Sequence, residues 1–210
     1  MKHTHGGSSG VIIPYERPVL TGDVACDVAA LLAGHGRTRT LAHCRQVADS
    51  AAALAVRFGL NAGAAAAAGW LHDVSAVIAP TEQVSWATRW AIEVLAEEAQ
   101  APVTLHQKLS AWMAENSFGV TDPAILSAVG CHTTLRPGAT NLDKIVFLAD
   151  KMSWDQVGRP PYLTDVQGAL AASLDAGVGV YLAYLWRRRE SLAVVHPWFE
   201  AAYRELGGGE

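Results

Sequence analysis

His72 and Asp73 stand side by side at the end of an apolar run, AAAAAGWLHD, spanning Ala64–Asp73. Residues this small and apolar predict a helix buried on all sides, because no face offers water a polar group. An imidazole and a carboxylate at the end of such a helix are costly unless something compensates them. A capped helix end with a satisfied histidine is one solution, and coordination of a cation is the other. Four more groups of the same kind follow or precede: His43, His106, His132 and Asp150, each at a helix end or on an otherwise apolar helix. Their order is H…HD…H…H…D. Imidazoles mixed with carboxylates suit iron, manganese or zinc, whereas calcium takes oxygen ligands alone. Six such groups exceed the needs of one ion with an open substrate position. They suffice for two ions sharing a carboxylate, with Asp73 the natural bridge.

The elements that must position these groups are helical. Apolar residues at 41, 44, 47, 48, 51, 54, 55 and 58 predict a helix from Leu41 to Phe58 stopped by Gly59, after a shorter helix at 22–34 and a polar connection at Arg37–Thr40. Asn61 caps the alanine helix. A helix through Trp86, Trp90 and Val94 is expected to reach about Glu98 before Pro102 breaks the chain. Another, starting near Thr104, carries His106. Asp122-Pro123 starts the helix that delivers Cys131 and His132, and Asn141 caps the one that ends near Asp150. One long helix is expected from Thr164 or Asp165 to about Arg189, and His196-Pro197 opens a terminal helix to Leu206.

Composition bounds the rest. The chain has 210 residues, half of them hydrophobic, with much alanine and few β-branched runs, which favours an all-α protein. Residues 1–20 read as a flexible N-terminal tail or tag remnant, with His3 and His5 left out of the site; residues 21–206 read as one domain and 207–210 as a disordered tail. A net charge of −4 offers no broad basic field for nucleic acid, and Arg187-Arg188-Arg189 reads as a solvated helix end. Cys26, Cys44 and Cys131 lack CxxC spacing and read as reduced core thiols of a cytoplasmic protein. Val166–Trp186 approaches the length of a membrane span, but Gln167, Asp175 and three glycines make it a buried helix, so no membrane partner is expected. The tryptophans serve a core or an interface equally well, leaving monomer or homodimer open.

These motifs resemble the HD-domain superfamily of metal-dependent phosphohydrolases, and in particular its YqeK-like branch. The resemblance rests on Leu71–Asp73, Leu105-His106, Phe118–Thr134 (FGVTDPAILSAVGCHTT), Leu142–Asp150 (LDKIVFLAD) and His196–Tyr203, and covers roughly residues 37–206. It implies an all-α bundle of about five core helices with additional N- and C-terminal helices. It also implies that His43, His72, Asp73 and Asp150 hold one ion, with Asp73 bridging to a second held by His106 and His132. Iron is the metal it suggests first, with manganese or zinc as alternatives. The implied activity is symmetrical hydrolysis of bis(5'-nucleosyl) tetraphosphates, such as diadenosine tetraphosphate to two ADP.

Substrate residues follow less directly. Arg136 matches an arginine of the family's HTTGR motif and is expected as a phosphate clamp, with Lys151 and then Lys108 behind it. The sequence departs from the pattern at Ala76, where related chains carry lysine, at Leu135 in place of glycine, and at Ala149–Gln156 (ADKMSWDQ). Trp154 either stacks on a base or plugs the core beneath its loop. Two other functions share the ligand set: a mixed-valent di-iron oxygenase of a small molecule, and a metal-containing nucleotide-binding module.

Overall fold

The computed structural model describes residues 12–154 and 158–206; Asp155 and Gln156 of the WDQ run lie outside these, as do residues 1–11, 157 and 207–210. Among the described residues there are eleven α-helices and no strand. The all-α expectation holds.

Five of these helices build the frame: α2 (Thr38–Arg57), α3 (Ala62–Leu71), α6 (His106–Asn116), α7 (Pro123–Cys131) and α8 (Asn141–Met152), with α1 (Val24–Gly34) before them. α2 lies against α3 and α8, and α7 lies against α6 and α8. α8 is the hub. Every residue from Leu142 to Ala149 is buried, Asp143 and Lys144 included. A capping box starts it, with Thr140 Oγ1 accepting from Asp143 N and Asp143 Oδ2 from Thr140 N; the cap is therefore Thr140, one residue before the expected Asn141.

α2 and α3 approach each other closely. A Cβ built on Gly69 would stand 2.6 Å from Ala48 Cα and 2.8 Å from Ala48 N, so the two helices touch backbone to backbone. The alanine run is less enclosed than expected. Ala65, Ala68, Gly69 and Leu71 are buried, while the opposite face is only half-covered.

Three further expectations are corrected. α2 starts at Thr38, absorbing most of the polar connection. The helix through Trp86 and Trp90 stops early: α4 covers Gln83–Arg89, Ala91 takes a φ of 56°, and a separate α5 follows at Ala96–Gln100. Trp90 stacks flat on Trp112 of α6 at 3.8 Å, a tertiary contact that outweighs helix continuation. The long C-terminal helix is two, α9 (Leu163–Ala169) and α10 (Leu174–Trp186), because the Ser173 side chain accepts from Ala176 N and restarts the helix. No single described helix is long and apolar enough to cross a membrane.

The N-terminal segment is not a loose tail throughout. Tyr15 is buried and bonds Ser117 Oγ at 2.7 Å, and the Trp90 indole donates to Ile12 O at 3.0 Å. Cys44 and Cys131 are buried, as expected, but Cys26 is exposed.

One buried ion cluster ties α5, α6 and α11 (Pro197–Glu205) together. Glu98, fully buried, accepts from Leu95 N at 2.9 Å and from Lys108 Nζ at 2.8 Å. His196 accepts from Trp198 N at Nδ1, which leaves its Nε2–H to face Glu98 Oε1 at 3.3 Å. Burial pushes the Glu98 carboxyl up, but His196, the Leu95 amide and Lys108 together bring it below its usual range. Such a group contributes stability above its unfolded pKa and loses it as pH falls through the folded one. Lys108→Met strands the carboxylate, so unfolding in urea at pH 7 should show a loss of about 3 kcal/mol. Protonated Glu98 needs no cation, so this loss should shrink when the measurement is repeated near pH 4.

Candidate metal centre

The six side chains singled out from the sequence meet at one place, each delivered by the end or one face of a helix. His43 lies one turn into α2, His72 follows α3 as its C-terminal cap, and His132 does the same for α7. His106 opens α6 and Asp150 lies in the last turn of α8. Asp73, directly after His72, occupies the middle. Its Oδ2 is 3.5 Å from His72 Nε2, and its Oδ1 is 3.2 Å from His106 Nε2 and 3.7 Å from His132 Nε2. Asp150 Oδ1 sits 3.0 Å from His43 Nε2 and 3.8 Å from His72 Nε2. Two groups therefore form, His43–His72–Asp150 and His72–Asp73–His132, with ligand atoms in each within 4.8 Å of one another.

Three of the histidines are oriented by the same local device. The Nδ1 of His72, His106 and His132 bonds the carbonyl three residues back, Gly69 at 2.7 Å, Val103 at 2.5 Å and Val129 at 2.8 Å. A carbonyl only accepts, so each Nδ1 carries a proton and each Nε2 is turned inward toward the carboxylates. His106 and His132 bring their Nε2 atoms to 2.9 Å of each other, with the Thr133 hydroxyl 3.2 and 3.1 Å away and Asp73 Oδ1 3.2 Å from the His106 nitrogen. The Nε2 of His72 is buried with no hydrogen-bond partner at all. Converging imidazole nitrogens beside two carboxylates are a donor set that a divalent cation satisfies.

Burial lowers the His106 imidazole, but Asp73 beside it brings it above its usual range, while three other groups take the forms a cation needs. Burial raises the Asp73 carboxyl, but His72, His106 and His132 together hold it well below the carboxylate range. Burial also opposes ionisation of Asp150, and Lys151, His43, His72 and His132 overcome it. Burial, with His72 and His106 nearby, drives His132 far down, so it is neutral at pH 7. Anionic carboxylates and a neutral imidazole are the forms that bind metal.

Polar contacts missed by the sequence reading lock this geometry. Ser75 Oγ donates to His106 O at 2.9 Å, and Ser110 Oγ donates to Ser75 Oγ at 2.8 Å, fastening the turn after Asp73 to α6. Gln107, fully buried, accepts from Thr133 N at 3.0 Å and donates to Thr134 Oγ1 at 3.0 Å, fixing His106 against His132. Buried serine and glutamine next to a histidine are the only signal the sequence carries for them.

The expected substrate residues fare differently. Lys151 Nζ donates to Asp150 Oδ2 at 2.6 Å and borders the cluster. Arg136 does not. Its guanidinium donates to Ser127 Oγ at 2.6 Å and lies 3.5 Å from Asp143 Oδ2, compensating a buried carboxylate. Lys108 is held by Glu98 and the Glu93 carbonyl, with Trp198 under its ammonium. These two line a separate cleft with Glu93, Ser127 and Trp198, to which none of the six cluster residues belongs. Trp154 is half-buried and packs edge-on to Tyr162 at 6.3 Å.

A helical bundle that gathers histidines and aspartates at its helix ends defines a metal-binding class. The chain belongs to the HD-domain family, whose profile matches residues 40–155. It is 40% identical over 139 residues to the Lactococcus lactis subsp. cremoris protein named "Uncharacterized protein in pepC 5'region", covering 66% of this chain and 70% of that one. It is 31% identical over 115 residues to the symmetrical bis(5'-nucleosyl)-tetraphosphatase of Bacillus subtilis, covering 51% of this chain and 58% of that enzyme. Its fold matches the crystal structure of a predicted HD superfamily hydrolase involved in NAD metabolism from Clostridium acetobutylicum, with a TM-score of 0.78, 20% identity, and 85% and 94% of the two chains covered. The resemblance read from the motifs agrees with these relatives.

Proposed function

We propose that this chain is a metal-dependent phosphohydrolase that cleaves bis(5'-nucleosyl) tetraphosphates symmetrically, taking diadenosine tetraphosphate and water to two ADP. The observation that carries the reading is the convergence of three inward-turned histidine Nε2 atoms on two anionic carboxylates. His43, His72, Asp73 and Asp150 would hold one divalent ion, and Asp73, His106 and His132 the second, with iron the first candidate. Bound there, the pair would supply a hydroxide at neutral pH and Lewis-acid stabilisation of the phosphoryl oxygens.

The chain's own residues do the rest. His72 and His132 are 0% and 1% exposed, while Asp73 and His106 side chains are 26% and 20% exposed, so the cluster faces solvent on the Asp73–His106 side. Substrate phosphate must approach from there. Lys151 places a cation beside Asp150, where it can share its charge with a phosphate. A cavity of about 190 Å³, walled by Thr133, Thr134, Leu185, Leu192, Val194 and Phe199, opens next to the His106–His132 pair and suits a nucleobase.

Protein purified without oxygen and loaded with iron or manganese should release ADP from diadenosine tetraphosphate. No nucleotide release from a panel of dinucleoside polyphosphates would overturn the proposal, and oxygen uptake in its place would select the oxygenase. His106→Ala should lower the metal content by one ion per chain and turnover by roughly 10²–10³-fold, with circular dichroism unchanged. Full activity in that variant would remove the two-ion arrangement.

A further inference from the structure

A second cavity leaves the cluster on the Asp73–His106 side. It holds about 310 Å³, near the lower end of small-molecule sites at roughly 300 Å³. Arg37, Asp73, Ala76, Gln83, Val103 and His106 are among its walls. It shares Val103 with the apolar cavity at Thr133, but it alone of the two has cluster residues, Asp73 and His106, in its walls.

Two of its side chains are built for a ligand. Gln83, the first residue of α4, is 6% exposed, and its amide oxygen is buried with no hydrogen-bond partner among the described residues. An acceptor left unpaired in this way is destabilising, and a donor arriving from the cleft would pair it. Arg37, exposed at the start of α2, makes no side-chain ion pair or hydrogen bond among the described residues. Ala76 contributes only a methyl group, so Arg37 is the cation of this cleft. A planar guanidinium presents paired donors to phosphate, and a glutamine amide matches the N6 and N7 edge of adenine.

A tetraphosphate cut at its centre has a nucleoside diphosphate on each side of the reacting phosphorus, so its symmetrical hydrolysis calls for two nucleoside sites. We infer that the Arg37–Gln83 cleft is the second of them: Arg37 takes a phosphate of the distal half, and the Gln83 amide accepts from the amino group of its adenine. The inference rests on the hydrolase reading for its substrate, but its binding test does not.

Equilibrium dialysis of the metal-loaded protein should find two ADP per chain, and one in Gln83→Leu. In kinetics, wild type should prefer diadenosine tetraphosphate over adenosine 5'-tetraphosphate, which has a single nucleoside end, and this KM advantage should fall about tenfold in Gln83→Leu, the loss of one hydrogen bond in a buried site. Arg37→Gln alters an exposed side chain, so folding does not cloud it, and it should weaken the second ADP in the same way. One ADP per chain in wild type, or two in both variants with the KM advantage intact, overturns the cleft. Two ADP per chain falling to one, without turnover of either tetraphosphate by wild type, sinks the hydrolase reading and leaves the cleft standing.

Discussion

Asp73→Asn should reduce diadenosine tetraphosphate hydrolysis by at least about 10³-fold, equivalent to about 4 kcal/mol of transition-state stabilisation. Asp73 is the carboxylate that faces three of the histidines, with His72 on Oδ2 and His106 and His132 on Oδ1. Asparagine keeps the shape and removes the charge. It also turns one of the two oxygens into an amide nitrogen that donates where a cation would bind. Both ions should weaken together, so elemental analysis should find fewer than one metal per chain in the variant. The bundle should persist, because Asp73 is partly open to solvent and no helix depends on it as a cap: it makes no side-chain cap bond to the turn that follows. Stopped-flow or endpoint assays of ADP release check the rate. An Asp73→Asn enzyme within tenfold of wild type, with two metals bound, would take Asp73 out of the bridging position.

Gly69→Ala should destabilise the fold and loosen the centre at the same time. The new methyl group would meet Ala48 Cα, Ala48 N and the Val47 carbonyl carbon, all backbone atoms that cannot swing aside. Overpacking of this kind costs about 3 kcal/mol, while alanine in place of a helical glycine returns about 1 kcal/mol. The net loss of about 2 kcal/mol should lower Tm by about 4–8 °C in a chain of this size. α2 and α3 would be forced apart, and they carry His43 and His72, so metal affinity should drop along with Tm. Gly168→Ala is the matched control. It sits in α9 with nothing within 4 Å of its Cβ position, and should raise stability slightly. Equal melting temperatures for Gly69→Ala and wild type would show that the helices can separate without cost.

How far the sequence reached depended on what each residue does. The caps Asn61, Asp122 and His196-Pro197 act within one turn of their own position, and each starts a helix where local chemistry places it. The break at Ser173 was also local, but the apolar residues around it hid the cap. The break after Trp90 was not local at all, since it comes with a stacking partner on α6.

The sequence by itself determined the composition of the centre. Singly, an imidazole or carboxylate at a helix end reads as well as a cap, as His196 and Asp122 are, but six of them in this order are legible without coordinates. The i−3 carbonyl that turns each Nε2 inward is a helix-end geometry and follows from placing those histidines at or after a helix terminus. Only the tertiary structure decided where each cation goes. Arg136 is bound to Ser127 and Asp143, Lys108 to Glu98, and Arg37 is left to face the cleft beside Asp73. An arginine or lysine can meet any carboxylate that folding brings near, and that pairing depends on distances between residues remote in the chain. The alanine run shows both sides of this. Its small side chains announce a close helix approach, but that the approach closes on Gly69 and Ala48, and so sets His43 against His72, is a property of the packed bundle alone.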